Sequence, residues 1–150
     1  MFSIVSSIAS FKTLRTKFFS LIMAAKSTSL VTFEINSFIK GYHVYQYDWT
    51  PKRNEVLQAV MEPENPVDKY AVCVKREGDQ VVGHLQKGKN GRFAKTVFYF
   101  LRANPQNTCT VTVHGKAVNL GDGDGMQVPC KLYFSGEEKF TRILKRELLA

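Results

Sequence analysis

Residues 62–74 read EPENPVDKYAVCV, a polar corner that leads directly into an apolar run. The two prolines fix their own φ angles at about −65° and bias the residue before each of them toward extended geometry. Asn65 and Asp68 carry short side chains that accept hydrogen bonds from nearby backbone amides, which closes such turns. The stretch therefore predicts a rigid turn that holds Asp68 beside the start of a strand. Either both side chains serve only to form the turn, or Asp68 also presents its carboxylate to a ligand.

Short β-rich runs lie on both sides of this corner. Residues 31–47, VTFEINSFIKGYHVYQY, alternate or nearly alternate and predict a strand that leads into a polar turn at residues 48–54. Residues 55–62, EVLQAVME, favour a strand, with a short helix as the alternative. Downstream, YAVCVKR and VVGHLQK are joined by EGDQ and predict a hairpin.

The hydrophobic period changes after the hairpin. Residues 91–105 read GRFAKTVFYFLRANP and predict a helix that Asn104 and Pro105 end. Its predicted faces are an apolar one (Phe93, Val97, Phe100, Leu101) and a polar one (Arg92, Lys95, Tyr99, Arg102). The next stretch, TCTVTVHGKAV, predicts a strand. The glycine-rich NLGDGDGM predicts a turn rather than a calcium loop, and VPCKLYF predicts the closing strand.

These elements predict a mainly β fold, a small OB-like or SH3-like barrel of five to six strands with one central α-helix. Short strands avoid exposed edges by closing into such a barrel. We expect this barrel domain to span residues 31–136. Residues 137–150 form a C-terminal tail or, because helix-forming residues dominate them, a C-terminal helix.

Residues 1–30 differ in composition from the rest of the chain. They are rich in Ser and apolar residues, and they contain four basic residues and no acid. Three interpretations stay open: an organelle transit peptide, a disordered extension, or a gene model that begins too early, with translation starting at Met23. Because basic residues interrupt the apolar stretches, no window approaches the roughly 20 apolar residues of a membrane span. We therefore expect no membrane association.

The formal net charge of +8 is unevenly distributed. From residue 80 to residue 121 there is no acidic side chain, whereas this segment contains six basic residues: Lys87, Lys89, Arg92, Lys95, Arg102 and Lys116. Such an excess indicates a polyanionic partner, and nucleic acid is the commonest one inside cells. The alternative is a solvated face that keeps the protein soluble.

Motifs of catalysis and metal binding are missing from the sequence. There is no GxSxG, P-loop or HExxH sequence, so we expect no enzymatic activity. The three cysteines form no CxxC pair and the histidines are equally scattered, which predicts reduced thiols in an intracellular protein and no metal or other cofactor. The residues concerned are Cys73, Cys109, Cys130, His43, His84 and His114.

Three stretches together resemble the HIRAN domain, a module found at the N-terminus of DNA-remodelling translocases. They are GYHVY at residues 41–45, EVLQAVMEPENPVDKYAVCV at residues 55–74 and VVGHLQK at residues 81–87. The positions that match the family pattern are Gly41, Glu62, Pro63, Asn65, Pro66, Asp68, Ala71, Val74, Gly83 and His84. The resemblance runs from about residue 38 to about residue 134.

The resemblance implies an OB-related barrel that holds single-stranded DNA at a 3′ end. It implies that Asp68 accepts a hydrogen bond from the terminal hydroxyl and that Lys87 contacts a phosphate, while His84 either lines the pocket or is satisfied within the barrel wall. With the basic segment, the candidate nucleic-acid-binding residues are His43, Tyr45, Asp68, His84, Lys87, Lys89, Arg92 and Lys95. If Lys87, Lys89, Arg92 and Lys95 contact three or four phosphates, the logarithm of the binding constant falls with the logarithm of the salt concentration with a slope of about −2 to −3.

The sequence departs from the family pattern at two places. His43 and Val44 occupy the positions of an Arg-Tyr pair, and Val67 occupies that of an aromatic residue. Each stack of a base on an aromatic ring is worth about 1–3 kcal/mol. The loss of two stacks therefore weakens binding by about one to four decades unless Tyr42, Tyr45, Tyr47 or Trp49 compensates.

Two other functions remain open at this stage. In one, the barrel has lost its stacking pocket and binds a protein partner through an aromatic anchor made of Tyr42, Tyr45, Tyr47 and Trp49. In the other, the chain is an accessory part of a helicase or hydrolase whose catalytic activity comes from another chain. Binding to DNA ends favours a nuclear localisation, whereas a genuine transit peptide in the first 22 residues favours an organelle.

Overall fold

The structure, a computed structural model, describes residues 29–150. The predictions for residues 1–28 lie outside this part. The described strands are β1 Leu30–Lys40, β2 Val56–Met61, β3 Val72–Arg76, β4 Gln80–Leu85, β5 Thr108–Val113, β6 Val118–Asn119 and β7 Met126–Glu137. The described α-helices are α1 Tyr42–Tyr45, α2 Arg92–Ala103 and α3 Glu138–Leu149, and 3₁₀ turns lie at Glu77–Asp79 and Lys89–Gly91.

Six of the strands close into an antiparallel barrel. Their order is β1-β4-β3-β2-β5-β7, and β7 returns to β1 over the register Leu30↔Glu137 to Ile39↔Val128. The two-residue strand β6 forms a hairpin with β7 outside this ring. The ring closes along β1 through its long pairing with β7 and through two residue pairs with β4, Ile39↔Leu85 and Lys40↔His84. The predicted small β-barrel is thus confirmed, as are its central helix and its C-terminal helix.

The barrel interior is filled by alternate residues of its long strands. In β7, side chains from Val128 to Phe134 point inward at every second position, and in β5 Cys109, Val111 and Val113 do the same. All of these inward residues are at most 1% exposed. This period of two is what a half-buried strand requires, and it is the pattern that the sequence shows.

Helix α2 packs on the barrel and presents the polar face that its sequence predicts. Ala94, Val97, Phe98 and Phe100 are buried, whereas the polar-face residues around Tyr99 are exposed. Helix α3 packs against α2 and buries Leu144 in the same core. None of the helices in residues 29–150 has the length and apolar character that crossing a membrane demands.

The prediction of a continuous strand through residues 31–47 is wrong at its end. Strand β1 stops at Lys40, whose last pairing is with His84, and Gly41 adopts a φ of 78°. A residue with a side chain adopts this left-handed conformation only with strain, so the glycine directs the chain away from the sheet. Residues 42–45 then form the single helical turn α1, closed by a 3.0 Å hydrogen bond from the Val44 amide to the Gly41 carbonyl.

Trp49 lies in the core rather than in an exposed aromatic anchor. Its side chain is 2% exposed, its ring packs edge-on to Tyr42, and its indole nitrogen donates to Glu55 Oε1 at 3.1 Å. Its backbone amide donates to the Tyr45 carbonyl at 3.0 Å, so the turn after α1 folds the indole inward. Of the four proposed anchor residues, Tyr47 is the one that stands fully in solvent, at 91% exposed.

Replacing Gly83 by alanine is expected to destabilise the barrel by about 1–3 kcal/mol. A Cβ at this position in β4 would collide with Ile39 Cγ2 and would lie 2.7 Å from the Lys40 carbonyl oxygen of β1. Urea unfolding measures the loss. Gly115→Ala is the matched control because a Cβ there meets nothing within 4 Å. Equal stability of the two variants would contradict the close approach of β1 and β4.

Candidate nucleic-acid interface

The proline-containing corner is built from two successive side-chain-to-backbone turns. Asn65 Oδ1 accepts hydrogen bonds from the amides of Val67 and Asp68, both at 2.9 Å, and Asp68 Oδ1 accepts one from the Tyr70 amide at 2.9 Å. The corner closes where the Glu62 amide donates to the Ala71 carbonyl at 2.9 Å. The predicted role of Asn65 and Asp68 as turn formers is confirmed.

Glu62 ties this corner to strand β4. Its Oε1 atom accepts a hydrogen bond from the Asn65 side chain and lies 3.2 Å from His84 Nε2. Partial burial acts to raise the pKa of Glu62, but the hydrogen bonds from Asn65 and His84 outweigh it and hold that pKa below its ordinary value. The ionised carboxylate is thus the form that the folded corner favours.

Glu62→Gln is expected to cost about 1 kcal/mol of folding stability at neutral pH, because hydrogen bonds to a charged acceptor are lost. Since the pKa of Glu62 is lower in the folded than in the unfolded state, its contribution is full above the ordinary value of 4.5 and is lost as the pH falls through the folded-state pKa. The difference in the free energy of unfolding between wild type and Glu62→Gln should therefore disappear at acidic pH. Urea unfolding over this pH range measures it, with exposed Glu64→Gln as control; a gap independent of pH would contradict the assignment.

A cleft of about 630 Å³ opens between this corner, the end of β1 and the start of α2; we call it the corner cleft. Its lining includes Asp68, His84 and Lys87 from the predicted set. The remaining lining residues are Lys40, Gly41, Asn65, Val67, Ala71, Val72, Leu85, Gln86, Gly88, Ala94 and Asp124. The structure therefore brings three of the eight predicted residues into one concave surface.

Asp68 lines the corner cleft, and one of its two carboxylate oxygens is used by the corner itself. Oδ1 is engaged by the Tyr70 amide, whereas Oδ2 accepts no hydrogen bond from the described part of the chain. The residue is half-buried, and no basic side chain in residues 29–150 forms an ion pair with it. A fixed carboxylate with one open oxygen is an acceptor for a ligand hydroxyl or amine.

Lys87 is held at the cleft through its own backbone. Its carbonyl accepts hydrogen bonds from the amides of Phe93 at 2.9 Å and Ala94 at 3.3 Å, in the first turn of α2. Its exposed ammonium group pairs with no carboxylate among residues 29–150. The cleft is thus lined by one cationic and one acidic residue that do not pair with each other.

The glycine-rich turn at residues 121–125 borders the opposite side of the cleft. Asp124 Oδ2 pairs with Lys40 Nζ at 3.0 Å, and Lys40 also donates to Gln127 Oε1 at 2.5 Å. Buried Gln127 in turn donates to both carboxylate oxygens of Asp122, at 3.0 and 2.9 Å. The turn is therefore pinned to β1 and β7, and the charge of Lys40 is largely balanced by Asp124.

Three of the predicted cations lie outside the corner cleft. Lys89 and Arg92 line a neighbouring groove of about 370 Å³ that includes Glu147, and Arg92 lies 3.6 Å from the Glu147 carboxylate. Lys95 extends over the ring of Tyr70, with its Nζ atom 4.7 Å from the ring centroid. The four cations from Lys87 to Lys95 therefore do not form a single phosphate-binding row.

His43 and Tyr45 also lie away from the cleft lining. His43 is exposed on α1, and the half-buried Tyr45 ring lies behind His84 with the ring centroids 6.4 Å apart. Burial, followed by the charge of Glu62, raises the pKa of Tyr45. His84 therefore both lines the cleft and is satisfied by Glu62, so the two alternatives for this residue hold together.

The sequence interpretation missed residues that border the cleft. Lys40 directly precedes Gly41, which matches the HIRAN pattern, and Asn65 lies within the corner at residues 62–74. Both could therefore have been found from their positions in the sequence. Nothing in the local pattern indicates that Asp124 lies across the cleft, because that depends on the pairing of β1 with β7.

Potential metal ligands do not cluster in residues 29–150. The three cysteines are buried and free. Burial raises the pKa of Cys73 to about 11 and that of Cys130 to about 12, and it raises the pKa of Cys109 as well. Thiols with such pKa values are poor nucleophiles.

No protein-family model matches the sequence, and no curated protein does. Among solved structures, the crystal structure of the HIRAN domain of human HLTF matches with a TM-score of 0.60 and 22% identity, over 79% of this chain and 89% of that chain. An NMR structure of the HLTF HIRAN domain matches with a TM-score of 0.56 and 22% identity, over 79% and 88% of the two chains. A further NMR structure of the HLTF domain, in its DNA-bound conformation, matches with a TM-score of 0.54 and 21% identity, over 81% and 89%. The barrel with its helices therefore has a HIRAN-like fold.

Proposed function

We propose that the protein is a non-catalytic nucleic-acid-binding module that takes the 3′ end of a single strand of DNA into the corner cleft. The observation that carries the proposal is that Asp68 and Lys87 line the same cleft, while Asp68 Oδ2 accepts no hydrogen bond and Lys87 forms no ion pair within residues 29–150. A strand end supplies the matching pair of groups, because its 3′ hydroxyl donates a hydrogen bond and its phosphates are anions.

The size and rigidity of the cleft support this proposal. Its volume of about 630 Å³ lies in the range of ordinary small-ligand sites, which suits a terminal nucleotide rather than a duplex. The Asn65 and Asp68 turns and the Glu62–His84 contact hold the corner in place before a ligand arrives. A pre-formed acceptor loses little conformational freedom on binding.

The likeness in fold adds independent support. The HLTF HIRAN domain has a DNA-bound conformation, and the present chain shares the fold of that structure. Because a fold hosts several functions, the proposal rests on the residues of the cleft and uses the likeness as an analogy.

Fluorescence anisotropy with labelled single-stranded and duplex oligonucleotides at low salt tests the proposal. We expect binding to the single strand, competition by unlabelled strands with a free 3′ hydroxyl, and weakening as salt is raised. Failure to bind any oligonucleotide at low salt would discard the proposal. Binding to duplex and single strand with equal affinity would discard the end-binding part of it.

An exposed apolar surface on and after α1 favours a second candidate function, the binding of a protein partner. Tyr47 is 91% and Val44 60% exposed, which makes them available as contact residues. A pull-down that returns one partner, survives nuclease treatment and is lost in Tyr47→Ala would favour this candidate.

A further inference from the structure

A strip of aromatic and basic side chains lies on the exposed face of α2 and on the adjoining corner. It consists of Lys69, Tyr70, Lys95, Tyr99 and Arg102, and we call it the tyrosine strip. The two tyrosine rings have centroids 5.6 Å apart, and their hydroxyl oxygens lie 3.4 Å from each other. Tyr99 is 44% exposed.

Every basic residue of the strip faces a ring instead of a carboxylate. Lys69 and Lys95 lie 5.1 and 4.7 Å from the centroid of Tyr70, and Arg102 lies 5.7 Å from that of Tyr99. No carboxylate in residues 29–150 forms an ion pair with any of the three cations. On α3, by contrast, Arg142 pairs with Glu138 and Arg146 with Glu147. The strip is thus a surface with uncompensated positive charge and flat apolar rings.

The tyrosine strip begins at the rim of the corner cleft. The Tyr70 amide donates to Asp68 Oδ1 at 2.9 Å, so ring and acceptor belong to the same turn. Ala94, which precedes Lys95 on α2, lines the cleft itself. The strip is therefore within reach of a strand whose last nucleotide lies in the cleft.

We propose that the tyrosine strip holds the nucleotides that precede the bound 3′ end, with bases against Tyr70 and Tyr99 and phosphates at Lys69, Lys95 and Arg102. The inference rests on the proposed function and extends the site from one nucleotide to several. A polymer that alternates anionic phosphates with flat bases matches a surface that alternates cations with rings. An acidic peptide matches the cations but offers nothing flat to the rings.

The length dependence of binding tests this inference. Single strands of about 4 and about 16 nucleotides bracket the site sizes of OB folds, and we expect the longer strand to bind wild type more tightly. Tyr99→Ala should weaken binding of the longer strand roughly tenfold, as expected for one lost stack, and should leave the preference for a 3′ hydroxyl intact. Tyr99→Phe should retain wild-type affinity. Tyr133→Ala is the matched control, because Tyr133 is 39% exposed on β7.

A second variant tests the basic part of the strip without removing a ring. Lys95→Gln should lower the steepness of the log–log salt dependence by about 0.7, the value for one phosphate contact on a single strand. Lys139→Gln is its control, since Lys139 also lies over a ring, 4.9 Å from the centroid of Phe140, but on α3, where it pairs with Glu137 at 3.6 Å. We expect no change in slope for the control.

Three results would overturn the inference. If Tyr99→Ala and Lys95→Gln bind the longer strand as wild type does while the preference for a 3′ hydroxyl persists, the inference about the tyrosine strip is wrong and the proposed function stands. If wild type binds neither strand, both fail. If polyglutamate binds more tightly than the oligonucleotides and loses affinity in Tyr99→Ala, the strip takes an acidic protein segment instead.

Discussion

A single strand that ends in a 3′ hydroxyl is expected to bind at least roughly tenfold more tightly than the same strand ending in a 3′ phosphate, and Asp68→Asn is expected to abolish this difference. In the proposed mode of binding, Asp68 Oδ2 accepts a hydrogen bond from the terminal hydroxyl, and hydrogen bonds to charged acceptors are worth about 1.5–3 kcal/mol. A terminal phosphate replaces that donor with additional negative charge beside the carboxylate.

Asparagine is the informative replacement because it keeps one half of the Asp68 chemistry. Its side-chain oxygen still accepts a hydrogen bond from the Tyr70 amide, so the turn is retained, whereas the new amide nitrogen cannot accept a hydrogen bond from a hydroxyl group. Anisotropy titrations with both strand ends measure the preference for wild type, Asp68→Asn and the exposed control Asp48→Asn. Equal affinity of wild type for the two ends would remove Asp68 from the role of acceptor.

Sequence periodicity predicted the elements whose faces are decided by burial. The inward positions of β5 and β7 alternate in the sequence as they do in the barrel, and the two faces of α2 follow its period of 3.6. The corner was predictable for a different reason, because proline geometry and the reach of the Asn65 and Asp68 side chains are local. The sequence therefore predicted those features that depend on interactions between residues close together in the chain.

The errors lie where distant parts of the chain decide the outcome. GYHVY is rich in aromatic and β-branched residues and therefore favours a strand, yet the pairing of β1 with β4 ends at Lys40, because Gly41 turns the chain away from the sheet. Trp49 is buried because the turn after α1 folds it against the core. Likewise, the helical period places Arg92 on an exposed face but gives no sign that Glu147 of α3 neutralises it.

Val67→Tyr is expected to tighten binding of single-stranded DNA by roughly 5- to 100-fold, the worth of one stack of a base on an aromatic ring. Val67 lines the corner cleft next to Asp68 and is 85% exposed, so a larger side chain fits there without displacing core residues. The gain should be greatest for strands with a free 3′ hydroxyl, because the terminal base lies against the new ring only when its sugar reaches Asp68.

A gain in affinity is a stricter test than a loss, since damage to the fold does not produce one. The matched control is Val56→Tyr, which adds the same ring at a 61% exposed position on β2 outside the cleft lining. If only Val67→Tyr binds more tightly, and Asp68→Asn added to it removes the preference for the hydroxyl end, then ring and carboxylate act on the same nucleotide. An equal gain from both tyrosines would show that the strand follows the surface without entering the cleft, and the end-binding mechanism would have to be abandoned.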